Sequence, residues 1–337
     1  MSPVDPTVYV SLLFLFGIAA QFTTMDGETF LRKVVGVFEN RVGILYAVVI
    51  VAGLFSPVIL NDIVIIILTP VIVRYARQHK VDAAPLLVAE ITTVNVASSL
   101  TPLGNPQNII LWSSSGATFG QFVAGTWLPV LAAMGVATAA LFPLARRAGG
   151  GREFSISLTS VRPGIYVGIV AVAAFLSDLA GMPPYVSLGA GFVLGFPFTY
   201  RSLGEFARNF EVRSLLTLYV FIGSVTVAAV FVTPYLVQYV GPVSTGAQPY
   251  SALFVGLVSN VISNVPATQL ILSVVHLAPA VASKVAVEAG FAGNIDPIGS
   301  FANLLALQIA RRGGLPVRKA ILLQLAVGLA AFVPALL

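Results

Sequence analysis

Apolar residues run through this chain in long blocks with the charges confined to the gaps between them, and the blocks carry the first structural signal. Residues 214–283 contain no Asp, Glu, Lys or Arg. A helix needs about 20 apolar residues to cross the hydrocarbon core of a bilayer. On that measure the chain crosses at 7–23, 85–112, 119–144, 163–180, 183–199, 215–237, 284–308 and 316–336. Two further apolar units, 42–75 and 250–276, read as helical hairpins. Their second arms, Ile63 to Val73 and Val265 to His276, have 11 and 12 residues, a length that fits re-entrant segments better than full spans.

The blocks repeat. Residues 101–108 carry Pro102, Gly104 and Asn108, and residues 296–303 carry Pro297, Gly299 and Asn303 at a constant offset of 195. Each octet follows a hairpin with a polar tip, Leu60-Asn61-Asp62 in the first half and Ser263-Asn264-Val265 in the second. By the crossing count the first unit starts outside with 7–23 and the second starts inside with 215–237, so the halves are inverted. The predicted fold class is an all-α membrane protein: an inverted repeat of about eight spanning helices, two re-entrant hairpins and two broken helices. Its units are a first repeat at 1–145 (hairpin 42–75, broken helix 85–112), connecting helices at 146–200, and a second, inverted repeat at 201–337 (hairpin 250–276, broken helix 284–308).

Pro and Gly inside an apolar span free backbone N–H and C=O groups that lipid cannot satisfy, so such a break persists only beside protein, water or an ion. Both breaks also carry polar side chains: Ser98, Ser99, Thr101, Asn105 and Asn108 in one, and Asn294, Asp296, Ser300 and Asn303 in the other. Half-helix N-termini present positive dipole ends and unwound carbonyls negative ones, which equips the pair for an anion, a cation or both. A single break could be a proline kink that serves packing. Two matched breaks with two matched hairpins point to a binding site.

Composition agrees. Charged residues make up 9% of the 337 and apolar ones 57%, too few charges to coat a water-facing surface. That excludes a soluble enzyme, a secreted disulfide scaffold and a disordered regulator, and the lack of Cys removes thiolate chemistry. Of the 18 basic residues, 17 fall on one side of the crossing model: Arg32, Lys33, Arg41, Arg74, Arg77, Lys80, Arg146, Arg147, Arg152, Arg162, Arg201, Arg208, Arg213, Arg311, Arg312, Arg318 and Lys319. Only Lys284 falls opposite. The positive-inside rule makes the crowded side cytoplasmic and places both termini outside. Topology and anionic lipid account for the basic charge, so no nucleic-acid partner is expected. Nothing resembles a signal peptide, since the first basic residue is Arg32. Arg32 and Lys33 lie on an amphipathic stretch, Gly27 to Phe38, expected at the cytoplasmic interface.

Among the acids, Asp62 at a tip and Asp296 in a break are candidates for binding Na⁺ or H⁺, the competing reading being a helix cap. Glu90 either shuttles a proton or pairs with a neighbour. Asp178 and Glu288 lie near span ends and are expected to be interfacial. No converging nucleophile and base and no His-rich metal site argue for an intramembrane enzyme, and no cofactor is expected beyond a coupling Na⁺.

Four motifs in order resemble the ion transporter superfamily: Asn61-Asp62 with Leu68-Thr69-Pro70; Asn95 through Asn108; Ser263-Asn264-Val265-Pro266; and Gly293 through Asn303. That group includes arsenite-efflux permeases, sodium/proton antiporters, citrate transporter-like proteins and divalent-anion:sodium symporters, and this chain is most similar to bacterial and archaeal anion-permease-like members. The resemblance implies a plasma-membrane secondary transporter with an elevator-type movement, and a homodimer as in many relatives. It implies a substrate held by Asn61, Asp62, Ser99, Thr101, Asn105, Asn108, Ser263, Asn264, Asn294 and Asn303. It further implies a coupling ion near Asp62, Glu90, Ser98, Gly104, Asp296, Gly299 and Ser300. Two departures stand out. Relatives carry two or three more helices before the first hairpin, and carboxylate-transporting members have Ser-Asn-Thr at both tips where this chain has Asp62 and Val265 in the third place. An acid and a Val offer a carboxylate no donor, so the expected cargo is a small inorganic ion, an anion foremost. A sodium/proton antiporter, an arsenite permease and a carboxylate symporter are the alternatives, and outside transport a membrane scaffold, which leaves the polar tips unexplained.

Overall fold

The computed structural model describes residues 6–145 and 161–337, and every regular element within them is helical. In chain order the first half supplies α1 (Pro6–Thr24), α2 (Gly27–Val42), α3 (Ile44–Phe55), α4 (Asn61–His79), α5 (Ala84–Ser98), α6 (Pro106–Ser115) and α7 (Phe119–Ala145). Then come α8 (Arg162–Leu179), α9 (Pro184–Thr199) and the short α10 (Leu203–Asn209). The second half supplies α11 (Val212–Ser244), α12 (Tyr250–Ile262), α13 (Asn264–Val274), α14 (Pro279–Ala292), α15 (Phe301–Arg312) and α16 (Arg318–Phe332). Arg146, Arg147 and Arg152, with the start of the expected connecting segment at 146–200, lie outside the described residues.

The helix starts follow from local chemistry. Pro85, Pro106, Pro163, Pro184 and Pro279 sit in first turns, where a missing N–H leaves no bond unmade. Gly43 at φ 84° separates α2 from α3, and Gly116 at φ 67° closes α6, both in the left-handed region that glycine enters freely.

Among the described residues, five helices are long and apolar enough to cross a membrane: α1, α7, α8, α11, and α16 with the turn that follows it. The other three expected crossings take different forms. Spans 85–112 and 284–308 are each divided, into α5 and α6 and into α14 and α15, with irregular chain at 99–105 and 293–300. The span at 183–199 is the 16-residue α9, about 24 Å long, shorter than the core it would cross. Expected at 215–237, α11 instead has 33 residues, about 50 Å.

The hairpin arms also differ from expectation. The arm at Val265 to His276 corresponds to α13, with 11 residues. The arm expected to stop at Val73 continues as α4, a helix of 19 residues to His79 that passes through Pro70 without a break. Counting apolar residues missed the extension because its last two turns are basic, with Arg74 and Arg77 in a good helix-forming context.

Two helices form the centre. Every residue of α5 is buried, and α14 is buried from Val285 to Ala292. The helices around them pair off across the halves: α3 packs on α5 and α12 on α14, α16 packs on α5 and α7 on α14, and α4 packs on α15 while α13 packs on α6. Outside this block α9 packs against α1 and α8. The long α7 and α11 leave most of their surface outward, with Trp127, Leu128, Phe231 and Tyr235 exposed, as a lipid-facing surface requires.

Close approach at the second break depends on one glycine of α16. A Cβ at Gly328 would lie 2.1 Å from the Asn294 carbonyl oxygen and 2.5 Å from its carbon. Gly328→Ala is therefore expected to cost about 1–3 kcal/mol, read as a fall in the thermal midpoint of the detergent-solubilised protein. Gly168→Ala, with open space at the added carbon, should leave the midpoint unchanged or higher.

Candidate functional site

Each break is held by an asparagine from the half-helix that follows it. Asn108 Nδ2 donates to the carbonyls of Ser98 at 2.8 Å and Thr101 at 2.9 Å, ten and seven residues upstream. Asn303 Nδ2 donates to the carbonyls of Gly293 and Asp296, the latter at 2.8 Å, also ten and seven residues upstream. The octet repeat is thus a repeated clamp: one carboxamide satisfies carbonyls that the missing helical turn leaves free. Inside the first break Thr101 Oγ1 donates to Pro57 O and accepts from Leu103 N at 3.1 Å, while Asn105 Oδ1 caps α6 by accepting from Gln107 N at 3.3 Å.

The hairpin tips dock on the breaks. Asn61 N donates to Gly104 O at 2.9 Å. The Asn264 carboxamide, turned so that nitrogen meets carbonyls, donates to Gly299 O at 2.6 Å and Ala289 O at 3.0 Å, with its oxygen 3.1 Å from the Gln107 carboxamide. Both break glycines are there because chain converges on them. A Cβ at Gly104 would lie 2.3 Å from Ser98 O and 2.6 Å from Ser56 O, and one at Gly299 would lie 2.8 Å from Asn260 Oδ1 and 3.2 Å from Gly293 O. The second tip is strained. Ser263, the single residue between α12 and α13, holds φ 72° and ψ 159°, a region that glycine alone enters without cost.

Asn95 of α5 joins the halves. Its Nδ2 donates to Asn294 Oδ1 at 3.1 Å and Asn303 Oδ1 at 2.7 Å, and its Oδ1 accepts from Ser300 Oγ at 2.9 Å. The repeat offset pairs Asn95 with Gly290 and Ser99 with Asn294. Gly290 faces Ser99, where an added Cβ would lie 2.0 Å from the hydroxyl oxygen. The contact Asn95–Asn294 thus has an exchanged counterpart at the repeat offset in Ser99–Gly290. The chemistry is not equal, however. Asn303 Oδ1 receives a hydrogen bond from Asn95, whereas Gly290 has no side chain to donate, and Asn108 Oδ1 stays buried without a partner.

Of the residues singled out from sequence, Asn61, Ser98, Ser99, Thr101, Asn105, Asn108, Asn264, Asn294, Ser300 and Asn303 are all buried in this one network of tips and breaks. Ser98 and Ser99 both donate to Asn95 O, at 3.1 and 3.2 Å. Ser263 and Asp62 are half-buried, and Asp62 reaches the network only through its N–H, which donates to Asn61 Oδ1 at 2.9 Å. Asp296 Oδ1 accepts from the N–H groups of Ile298 and Gly299, both at 2.7 Å, so its capping role is filled. Glu90 lies apart, fully buried between α4 and α5, with Thr69 Oγ1 donating to its two oxygens at 2.9 and 3.1 Å. Asp178 receives Phe119 N at 2.6 Å and so caps α7. Glu288 departs from expectation: it is 1% exposed, with Ser251 Oγ donating at 2.8 Å and Gln248 Nε2 also bound. The expected span starts at 284, but α14 starts at Pro279, so Glu288 lies more than two turns inside the helix and is packed against α12.

Sequence reasoning passed over four participants: Asn95, Ser56, Ser259 and Asn260. Ser56 and Ser259 each precede their tip asparagine by five residues, and both hydroxyls are buried without a partner. A pattern Ser-x-Val-Ile-x-Asn at 56–61 and 259–264 marks them.

A family model described as citrate transporter matches residues 2–292. The inner membrane protein YbiR of Escherichia coli (strain K12) is 30% identical over 290 residues, spanning 83% of this chain and 73% of its own. The uncharacterized transporter Rv2685 of Mycobacterium tuberculosis (strain ATCC 25618 / H37Rv) is 28% identical over 307 residues, 81% of this chain and 71% of its own. The silicon efflux transporter LSI3 of Oryza sativa subsp. japonica is 36% identical over a shorter stretch of 89 residues, 26% of this chain and 18% of its own.

Asn95→Ala strips partners from three buried groups and is expected to cost about 2–4 kcal/mol. A double-mutant cycle with Ser300→Ala in thermal melts should show strong coupling, and additive losses would mean the network does not join the halves. Ser263→Gly should raise stability by about 1–3 kcal/mol by relieving the backbone.

Proposed function

The chain belongs to the citrate transporter family, and from that membership as a multi-pass membrane transporter we propose a secondary active transporter in which two inverted halves carry a small inorganic ion, an anion foremost, coupled to Na⁺ or H⁺. The observation that carries this reading is the pair of asparagine-clamped breaks, each with a hairpin tip docked on it and the two linked through Asn95. The reciprocal helix pairings support an inverted arrangement about an axis between α5 and α14. With 17 of the 18 basic residues on one side, the hairpins open toward opposite faces, the first on the cytoplasm, and both ends of the sequence lie outside, in the plasma membrane.

The substrate lies where tips and breaks meet, between Asn61 and Asp62 on one side and Ser263 and Asn264 on the other. Ser99, Thr101, Asn105, Asn108, Asn294 and Asn303 complete its surroundings. A tricarboxylate is disfavoured despite the family's description, because Asp62 adds a negative charge and Val265 offers no donor where a hydroxyl would serve a carboxylate. A relative whose name assigns it silicon efflux supports a small inorganic cargo. The site residues are buried, so loading requires a movement that parts the tips from the breaks. A tip lifting from its break opens the site, and an elevator-type displacement that carries the hairpins and broken helices together moves the loaded site across while leaving α7 and α11 against lipid.

A coupling Na⁺ is best accommodated at the first break, where the Ser56 and Ser98 carbonyls converge on Gly104 and Asn108 Oδ1 and Ser56 Oγ are buried acceptors without partners. Its counterpart at the second break is Asn260 Oδ1 beside Gly299, with Ser300 and Asp296 at hand. The second coupling reading, H⁺, rests on Glu90, a fully buried carboxylate whose bonded partner is the Thr69 hydroxyl.

Liposomes holding the purified protein, with imposed Na⁺ and H⁺ gradients, test both. Uptake of arsenite or a sulfate-like anion should follow one gradient, and Asn61→Ala and Asn264→Ala should each abolish it while the protein elutes and melts as folded. Glu90→Gln removes the response if H⁺ is coupled and spares it if Na⁺ is. Sodium-dependent accumulation of a dicarboxylate would overturn the assignment of the cargo, and unaltered flux in both asparagine variants would remove the tips from the mechanism.

A further inference from the structure

We propose that the groove between α4 and α15 is a headgroup site for an anionic phospholipid of the cytoplasmic leaflet. The groove has a volume of about 590 Å³. Arg74, Arg77 and Gln78 form its polar wall, all three exposed. Arg74 and Arg77 stand three residues apart, hence on one face of the helix, and neither has an acidic partner among the described residues. The floor is apolar, built from Pro70 and Val73 of α4 and Ile309 of α15. At Gly313 the chain closes on α4, where an added Cβ would lie 2.5 Å from Val73 Cγ1. A compact pair of unpaired cations above an apolar floor matches a phosphate joined to acyl chains.

Depth distinguishes a lipid from a free phosphate. The exposed face of α4 runs through Ile66, Pro70, Arg74 and Arg77, so one stripe changes from apolar to cationic along its length. From Asn61 to Arg74 the helix rises about 20 Å, half the thickness of a bilayer counted to its headgroups. With Asn61 near the midplane, which rests on the transporter reading above, Arg74 and Arg77 stand at phosphate level, and Ile66 and Pro70 lie against hydrocarbon. Basic pockets between helices on the cytoplasmic side are suited to such headgroups. The second hairpin has no equivalent. The tip offset of 203 pairs Val274, the last residue of α13, with Val71, so the turns of α4 that carry both arginines exist in one half alone.

The test uses the full chain in detergent micelles with added phosphatidylglycerol or phosphatidylcholine, read as retained lipid in native mass spectra. The parent should retain phosphatidylglycerol selectively. Arg74→Gln/Arg77→Gln should lower that retention by at least about five-fold, as expected for loss of cationic contacts to a headgroup. Arg201→Gln/Arg208→Gln, with the same change of charge elsewhere on the surface, should leave it within about two-fold of the parent. Equal loss in both double variants, full retention in the first, or displacement of the lipid by excess inorganic phosphate overturns the proposal. Liposome flux without selective retention would sink the lipid site and leave the transporter standing, whereas selective retention without flux would do the reverse.

Discussion

Hydrocarbon offers no partner to a backbone carbonyl, so a helix that unwinds inside a membrane protein must bring its own. Here Asn108 and Asn303 meet that requirement by reaching back to carbonyls ten and seven residues upstream. Much else follows from the two clamps. The chain folds so tightly around each that only glycine fits at 104 and 299. The glycine carbonyls then face outward and become the acceptors on which the hairpin tips dock. Removing either amide would strip the Ser98 or Gly293 carbonyl of its donor and leave Thr101 O and Asp296 O with only the longer bonds from Gly104 N and Gln324 Nε2.

Much of this architecture was legible in the chain because lipid makes charge placement and span length strict. The break octets share a fixed offset, so Pro102, Gly104 and Asn108 mark where the helices break, whereas the clamping role of Asn108 is visible only in its bonds. The tips were harder to align. They obey an offset of 203, not 195, because α4 has 19 residues and α13 has 11, a difference of eight. A search at one offset therefore registers the breaks and loses Ser56 and Ser259. The last six residues of α4, Arg74 to His79, explain the different arm length: they include two arginines, a glutamine and a histidine, so a reading based on apolar runs ends the helix at Val73. Asn95 belongs to the second motif, but its role is not legible there, since its partners lie about 200 residues away and no local pattern reveals them. Glu288 differs from its expected interfacial place because α14 begins five residues before the apolar run suggests, at Pro279, which sets the acid well inside the helix.

The halves match in architecture and differ in chemistry, and the difference is the more informative. At the second break, Asn95 donates to the free oxygen of the clamp and accepts from Ser300, so the clamp oxygen there is already partnered. At the first, Gly290 stands where a donor would be, and Asn108 Oδ1 remains an unpaired buried acceptor. An unpaired acceptor costs about 1–3 kcal/mol unless something satisfies it, and a desolvated cation would do so more strongly than a neutral donor. Strain is distributed the other way. The first tip turns through five residues without a positive φ, while the second turns at Ser263 alone and holds it in a region that costs about 1–3 kcal/mol. Two conformations of a transporter need differ by only a few kcal/mol. An unmet acceptor in one half and a strained tip in the other are each large enough on that scale to tilt the balance. Meeting that acceptor or relaxing that turn would therefore each change the energy of the fold by an amount of this order.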